Sequence, residues 1–257
     1  MGMSAVRPLA IFLDDGGVMN DNERRGAQWR RLVATYFAPI LDGAPEAWED
    51  ANYRFTTSLF EQSAWEHRLK SAPDYDSFER TYFVDWMAGM CAYVGVPCPS
   101  PERSIEMGRA AYAWIVPRVR ASYPGAIEAI RFLHAQGYLL YTASGEASYD
   151  LAAYLEGMGV LDCFERLYGP DLVDTLKMGP DYYTRILAGA GIDPADALVV
   201  DDTPLCATWA SQVGIRSVLV SSHVAEEEPS LLATIPSLAD LPALFARLFD
   251  PSIEDCE

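Results

Sequence analysis

The sequence predicts an α/β fold: a doubly wound, Rossmann-like parallel sheet with an α-helical domain inserted after its first strand. Three observations predict it. Leu9-Ala-Ile-Phe-Leu13 is a short apolar run that stops at Asp14, Asp15, Gly16 and Gly17, as a strand buried in a parallel sheet does at a polar turn. From Tyr123 onward short apolar runs alternate with helical periodicity, the signature of successive βαβ units. Between these two regions the periodicity is helical throughout.

In order along the chain, the first strand is followed by about four helices from Asp21 to Val116. Their apolar faces are Trp29, Val33, Tyr36, Phe37 and Ile40; then Trp48, Phe55 and Leu59. The third face is Phe78, Tyr82, Trp86, Met90 and Tyr93, and the fourth Ile105, Tyr112 and Ile115. Breaks fall at Leu41-Asp-Gly-Ala-Pro45, Ser71-Ala-Pro-Asp74 and Gly95-Val-Pro-Cys-Pro-Ser-Pro101. The domain boundaries expected are therefore 1–20 for the first core strand, 21–118 for the helical insertion and 119–257 for the rest of the core.

Beyond Tyr123, Pro124 opens a helix over Ala126–Gln136 that Gly137 stops. Tyr138-Leu-Leu-Tyr-Thr142 is a strand, Ser148–Glu156 a helix and Phe164–Tyr168 a short strand. A helix over Pro180–Ala190, the strand Ala197–Asp201, a helix over Leu205–Gln212 and the strand Arg216–Val220 follow. Leu238–Leu248 is the last helix, and Glu226-Glu-Glu-Pro229 reads as a solvated loop.

Half of the 257 residues are hydrophobic, enough for a sizeable core. With 19 basic and 37 acidic residues the formal charge is −18, which opposes binding to nucleic acid or an anionic membrane surface. A small anionic partner remains compatible, because a local site can be positive on a negative protein. The five cysteines (Cys91, Cys98, Cys163, Cys206, Cys256) form no Cys-x-x-Cys pair, and His67, His134 and His223 are scattered. A reducing compartment fits this pattern better than a zinc site. Met1 to Leu13 lacks a secretory h-region and no apolar stretch reaches membrane-spanning length, so a cytoplasmic location is expected.

Four polar sites fall where strands or loops meet one edge of the predicted sheet, the edge at which open α/β sheets bind ligands. They are Asp14-Asp15-Gly16-Gly17, Thr142-Ala143-Ser144-Gly145, Lys177 and Asp201-Asp202. Each also has a bland reading: a polar strand exit, a helix N-cap, a surface lysine. Lys177 is the less casual because Lys70 is the chain's other lysine.

Together the sites resemble the haloacid dehalogenase superfamily of hydrolases, most of whose members are phosphatases. The resemblance is carried by Asp14-x-x-Gly17-Val18-Met19, the helical insertion, Tyr123-Pro-Gly, Thr142, Lys177-x-x-Pro180-x-x-Tyr183 and Asp201-Asp202, with Ala210 and Gly214 beyond. It implies that the insertion is a cap over the active site and that Asp14 is a nucleophile forming a covalent aspartyl intermediate. Thr142, with Ala143, would bind the transferred group, and Lys177 would stabilise charge on nucleophile and substrate. Asp14, the Gly16 carbonyl, Asp202 and Asp201 would hold Mg²⁺. Independently of the family, three carboxylates at one strand edge repel one another unless a hard cation joins them.

One position departs from the resemblance. Phosphatases of the family carry a second aspartate two residues after the nucleophile, as acid and base, and that position is Gly16 here. If Asp15 were the nucleophile the position would be Gly17, so the carboxyl is missing in either register. General acid–base catalysis contributes about 10²–10⁴ in rate. A phosphatase-like hydrolase is the first expectation. A dehalogenase or phosphonate hydrolase, whose leaving group needs no proton, is the alternative; a catalytically silent binding protein is the third. Replacement acids would be Asp15, Asp21 or a cap residue, and Lys70 is the cap lysine for a phosphonate-type Schiff base. Arg24, Arg25, Arg30 and Arg31 are candidate substrate contacts against a plain exposed helix face. Trp29, Trp65, Trp86 and Trp114 are candidate pocket walls against a plain helical core.

Overall fold

The structure, a computed structural model, describes residues 9–59, 61–222 and 231–249, with the backbone alone for 62–66. The Trp65 side chain, His223, the Glu226–Pro229 loop and Cys256 therefore lie outside the described residues. By its internal contacts the chain forms two compact units, one of residues 1–22, 121–173 and 177–257, the other of residues 23–120 and 174–176.

Strand β1 (Ala10–Leu13) is buried at every position. Helices α1 (Asn22–Leu41), α2 (Pro45–Leu59), α3 (Gln62–Ser71), α4 (Tyr75–Val94) and α5 (Pro101–Ile115) follow, one more than the periodicity predicts. The unforeseen break lies between Leu59 and Gln62, where no glycine or proline marks it. Glu61, immediately before α3, has non-helical dihedrals (φ −56°, ψ 124°). The α1–α2 break is the left-handed pair Asp42–Gly43, and α4 starts on Asp74, whose carboxylate accepts from the Ser77 amide at 2.8 Å.

The helical unit is built round aromatic rings. Phe37, Trp48 and Trp86 are fully buried, with Phe37 5.4 Å from Trp48 and 5.5 Å from Trp86 between ring centroids. The Trp86 indole donates to Asn52 Oδ1 at 3.0 Å, which closes α2 on α4. The buried face of α4 runs through Phe83, Trp86, Met87 and Met90, whereas Tyr93, expected in the core, is exposed beneath the Arg54 guanidinium. Ile40 is likewise exposed. Both correct the sequence expectation: each lies in the last turns of its helix, where the apolar face outruns the packing.

In the other unit the order is α6 (Ala126–Ala135), β2 (Leu139–Ala143), α7 (Ser148–Met158), β3 (Phe164–Tyr168) and the single turn α8 (Pro170–Val173). Then come α9 (Pro180–Ala190), β4 (Ala197–Asp201), α10 (Pro204–Gln212), β5 (Arg216–Val220), β6 (Leu231–Ile235) and α11 (Leu241–Phe249). The six strands form one parallel sheet in the order β3-β2-β1-β4-β5-β6. Strand β6 and the turn α8 have no counterpart in the sequence reading. β6 is a half-exposed edge strand and α8 is too short to show a period.

Alternate β1 side chains feed two cores, as the strand period of two requires. Ile11 and Leu13 pack with Leu140, Leu198 and Val200 under α6 and α11. Ala10 and Phe12 pack with Tyr141 and Val199 against α9 and α10. In register, Leu13 sits opposite Thr142 on one side and Val200 on the other. The ends of β2, β1 and β4 are therefore level, and whatever follows each strand emerges at one edge.

Candidate active site

Asp14 is the first residue past β1, and its amide donates to the Val200 carbonyl at 3.0 Å. That bond continues the ladder by one step and aims the carboxylate along the edge. Asp201 ends β4 and Asp202 follows it. Carboxylate oxygens of Asp14, Asp201 and Asp202 lie within 4.8 Å of one another. Lys177, in the loop before α9, places Nζ 2.9 Å from Asp14 Oδ1 and 2.7 Å from Asp201 Oδ2.

The electrostatics follow from burial. Lys177 is 8% exposed at its side chain. Burial pulls its pKa down, but Asp14 and Asp201 together raise it well above the ordinary lysine value, so the ammonium stays charged. Burial pushes Asp201 up to about 6, against the downward pull of Lys177. Asp202 is raised by burial first and then by the charge of Asp14. One cation thus serves three acidic groups. The excess of negative oxygen ligands suits a hard divalent cation such as Mg²⁺.

The turn after β1 is shaped round Asp202. Gly17 has φ +84°, and a Cβ there would stand 1.9 Å from Asp202 Oδ2. Glycine is therefore required twice, for the left-handed backbone and for the carboxylate lying on its Cα.

A profile of the haloacid dehalogenase-like hydrolases matches residues 22–205, more than half of the chain. The chain belongs to that family. A phosphoglycolate phosphatase of Mesorhizobium japonicum is 31% identical over 134 residues, 50% of this chain, and the match spans 59% of that protein's length. Hexitol phosphatase B of Escherichia coli K12 is 25% identical over 221 residues, 85% of this chain and 96% of that protein. Among solved structures, a HAD phosphatase from Thermococcus onnurineus gives a TM-score of 0.58 at 19% identity, covering 92% of this chain and 97% of that one. A defluorinating L-2-haloacid dehalogenase gives 0.62 at 16%, covering 93% and 94%. At these identities the two structures share the fold with this hydrolase.

In this haloacid dehalogenase-like hydrolase the two adjacent aspartates part company. Asp14 faces the cluster, while Asp15 is fully buried and accepts from Asn20 Nδ2 at 2.7 Å. The Asp15 carbonyl also accepts from the amides of Met19 and Asn20, so the residue anchors the turn. Asp15 has no exposed surface from which to exchange a proton with a substrate. Gly16 is partly exposed on the same turn.

Thr142 and Ala143 are the last two residues of β2, and both are buried. The Thr142 hydroxyl donates to the Tyr168 carbonyl at 3.1 Å. Ser144 follows, and its hydroxyl accepts from the Glu146 amide at 3.2 Å. Sequence reasoning missed Asn20 and Tyr182, whose partners are brought to them through space. Only the apolar positions beside the motifs signalled that these segments are packed.

Asp21, partly exposed, belongs to the sheet unit, and its amide donates to the Ala121 carbonyl at 2.8 Å. The remaining candidates lie in the helical unit. Trp86 is core, and Trp29 and Trp114 are half-buried, ringed by Tyr112 and Tyr36. The Arg30 guanidinium lies 3.6 Å over the Tyr53 ring. Arg24 and Arg31 are exposed and Arg25 is partly exposed on α1, and Lys70 is exposed on α3.

Proposed function

We propose that the chain is a phosphatase-like hydrolase that uses Asp14 as its nucleophile and acts on a small anionic metabolite. The reading rests on one observation above all: the Asp14 carboxylate is held by Lys177 beside Asp201 and Asp202, while Asp15 is sequestered. Asp14 Oδ would attack phosphorus, the leaving oxygen would depart, and water would cleave the aspartyl phosphate to return the carboxylate. Lys177, bonded to Asp14 Oδ1, holds the nucleophile in place and offers positive charge to the incoming anion. Thr142, by turning its hydroxyl from Tyr168, and the backbone at Ala143 would receive the phosphoryl oxygens.

Asp14, Asp202, Asp201 and the Gly16 carbonyl would hold Mg²⁺, which when bound supplies neutralisation of the clustered carboxylates and of phosphoryl charge. The insertion at 21–118 serves as the cap that sets specificity, and the protein works in the cytoplasm. The chain's acidity argues for a small substrate and against nucleic acid or a membrane surface. No helix among the described residues is long and apolar enough to cross a membrane.

Gly16 favours a second reading. Without a carboxyl there, and with Asp15 buried, a leaving group that departs unprotonated loses less: an acyl phosphate, a phosphonate carbon or a halide. The missing acid corresponds to about 3–5 kcal/mol of barrier. The purified protein with Mg²⁺ should be screened against phosphate esters, acyl phosphates, phosphonates and 2-haloacids, beside Asp14→Asn. Phosphate release that Asp14→Asn abolishes, with folding intact, supports the first reading. Halide release or carbon–phosphorus cleavage alone transfers support to the second, and undiminished turnover by Asp14→Asn removes Asp14 as nucleophile.

A further inference from the structure

Tyr182 lies in the first turn of α9, five residues past Lys177, and is fully buried. Its hydroxyl stands 2.9 Å from the Ser144 carbonyl and 3.1 Å from the Tyr168 carbonyl. These two carbonyls belong to the segments that leave the edge after β2 and β3. The same Tyr168 carbonyl also accepts from the Thr142 hydroxyl and from the Ser144 amide, at 3.1 and 3.3 Å. One carbonyl therefore gathers donors from β2, from the turn beyond it and from α9.

The junction is closed further along the same two segments. The Ser148 amide, at the start of α7, donates to Asp171 Oδ1 at 2.8 Å. Gly169 passes so close to the turn that a Cβ on it would stand 2.2 Å from the Glu146 carbonyl. Residues 142–148 are thus pinned at both ends, and Tyr182 is the side chain that ties the near end to the helix carrying the lysine loop. A phenol without a charged partner at its hydroxyl can only donate to two carbonyl oxygens, so the bond has a fixed direction.

We propose that Tyr182 is a positioning residue for anion binding: its hydroxyl latches the Thr142–Ser144 turn to the Lys177-bearing segment, so that both present themselves to one bound phosphoryl group. This rests on the anion-binding role assigned above to Thr142, Ala143 and Lys177. Tyr182 touches no substrate in this account. Removing its hydroxyl leaves the turn free to tilt while the ring still fills the core.

The test is Tyr182→Phe, with Tyr168→Phe as comparator, since the latter removes a side-chain hydroxyl from the same core and keeps the backbone carbonyl that accepts the latch. Inorganic phosphate is titrated calorimetrically into each protein with Mg²⁺, and amide exchange is followed across residues 143–147. Tyr182→Phe should weaken phosphate binding by about threefold to tenfold, the worth of one buried hydrogen bond. KM for a phosphate ester should rise by the same factor with kcat little changed, and exchange at 143–147 should quicken. Tyr168→Phe should leave all three readouts at wild-type values. Unchanged phosphate affinity in Tyr182→Phe, an equal loss in both variants, or a wild-type protein that binds no phosphate would each overturn the proposal. Failure of the nucleophile reading shows separately, as turnover surviving in Asp14→Asn.

Discussion

Two neighbouring aspartates with identical chemistry are separated by the pleat: one side chain goes to the carboxylate cluster, the next goes under the turn to Asn20. The strand-end positions of Asp14, Thr142, Asp201 and Asp202 and the place of Lys177 ahead of α9 were legible because each ends or follows an apolar run or precedes a helix. The choice of Asp14 over Asp15 came from the resemblance, whereas the burial of Asp15 against Asn20 was not legible, because it depends on a hydrogen bond across the turn. Gly17 makes the sharpest residue-scale prediction. Gly17→Ala places a methyl on Asp202 and forces a left-handed alanine, which costs about 1–2 kcal/mol for the backbone alone. Asp202 must swing away, so Mg²⁺ affinity measured by calorimetry should fall at least tenfold with activity. Wild-type affinity in that variant would contradict the placement of Asp202. Lys177→Met is the second. It leaves two buried carboxylates facing each other without their cation, at a cost of about 3–5 kcal/mol, read as a lower midpoint in urea without Mg²⁺. An unchanged midpoint would mean that the ion pairs add nothing to the fold.

At the scale of elements, strands β3, β4 and β5 and helix α9 begin and end where the sequence places them, because each is bounded by glycine, proline or a charged exit. β6 escaped because an edge strand buries little and shows no clean alternation. The division of α2 from α3 escaped because no glycine or proline marks it. Helix faces were legible in their centres and not at their ends, which is why Trp86 is core and Tyr93 is not. The α2–α4 contact includes a buried polar pair, Trp86 and Asn52, in an apolar surround. Asn52→Leu should strand the Trp86 indole N–H in the core at about 1–3 kcal/mol. Urea unfolding followed by tryptophan fluorescence should show a lower midpoint with the slope preserved. An unshifted midpoint would mean that Trp86 finds another acceptor.

For the whole molecule, a formal charge of −18 surrounds a site whose own acidic groups outnumber its one lysine. A divalent cation that binds the folded protein and not the unfolded chain should therefore raise its stability, by about 2.7 kcal/mol at one hundred times its dissociation constant. Thermal unfolding with and without Mg²⁺ checks this: the wild-type midpoint should rise, and Asp202→Ala should lose most of the rise. Fold class and the gathering of Asp14, Lys177, Asp201 and Asp202 at one sheet edge were both readable from the order of motifs, whereas the proposed reaction depends on which carboxylate faces the cluster and which is bonded away beneath the turn. In the proposed reaction a single carboxylate, that of Asp14, is the nucleophile. Quenching the protein with borohydride during turnover of a phosphate ester reduces an aspartyl phosphate to homoserine, which peptide mass spectrometry locates. The account predicts homoserine at position 14, dependent on substrate and absent from Asp14→Asn. Homoserine at position 15, or none during active phosphate release, would contradict it.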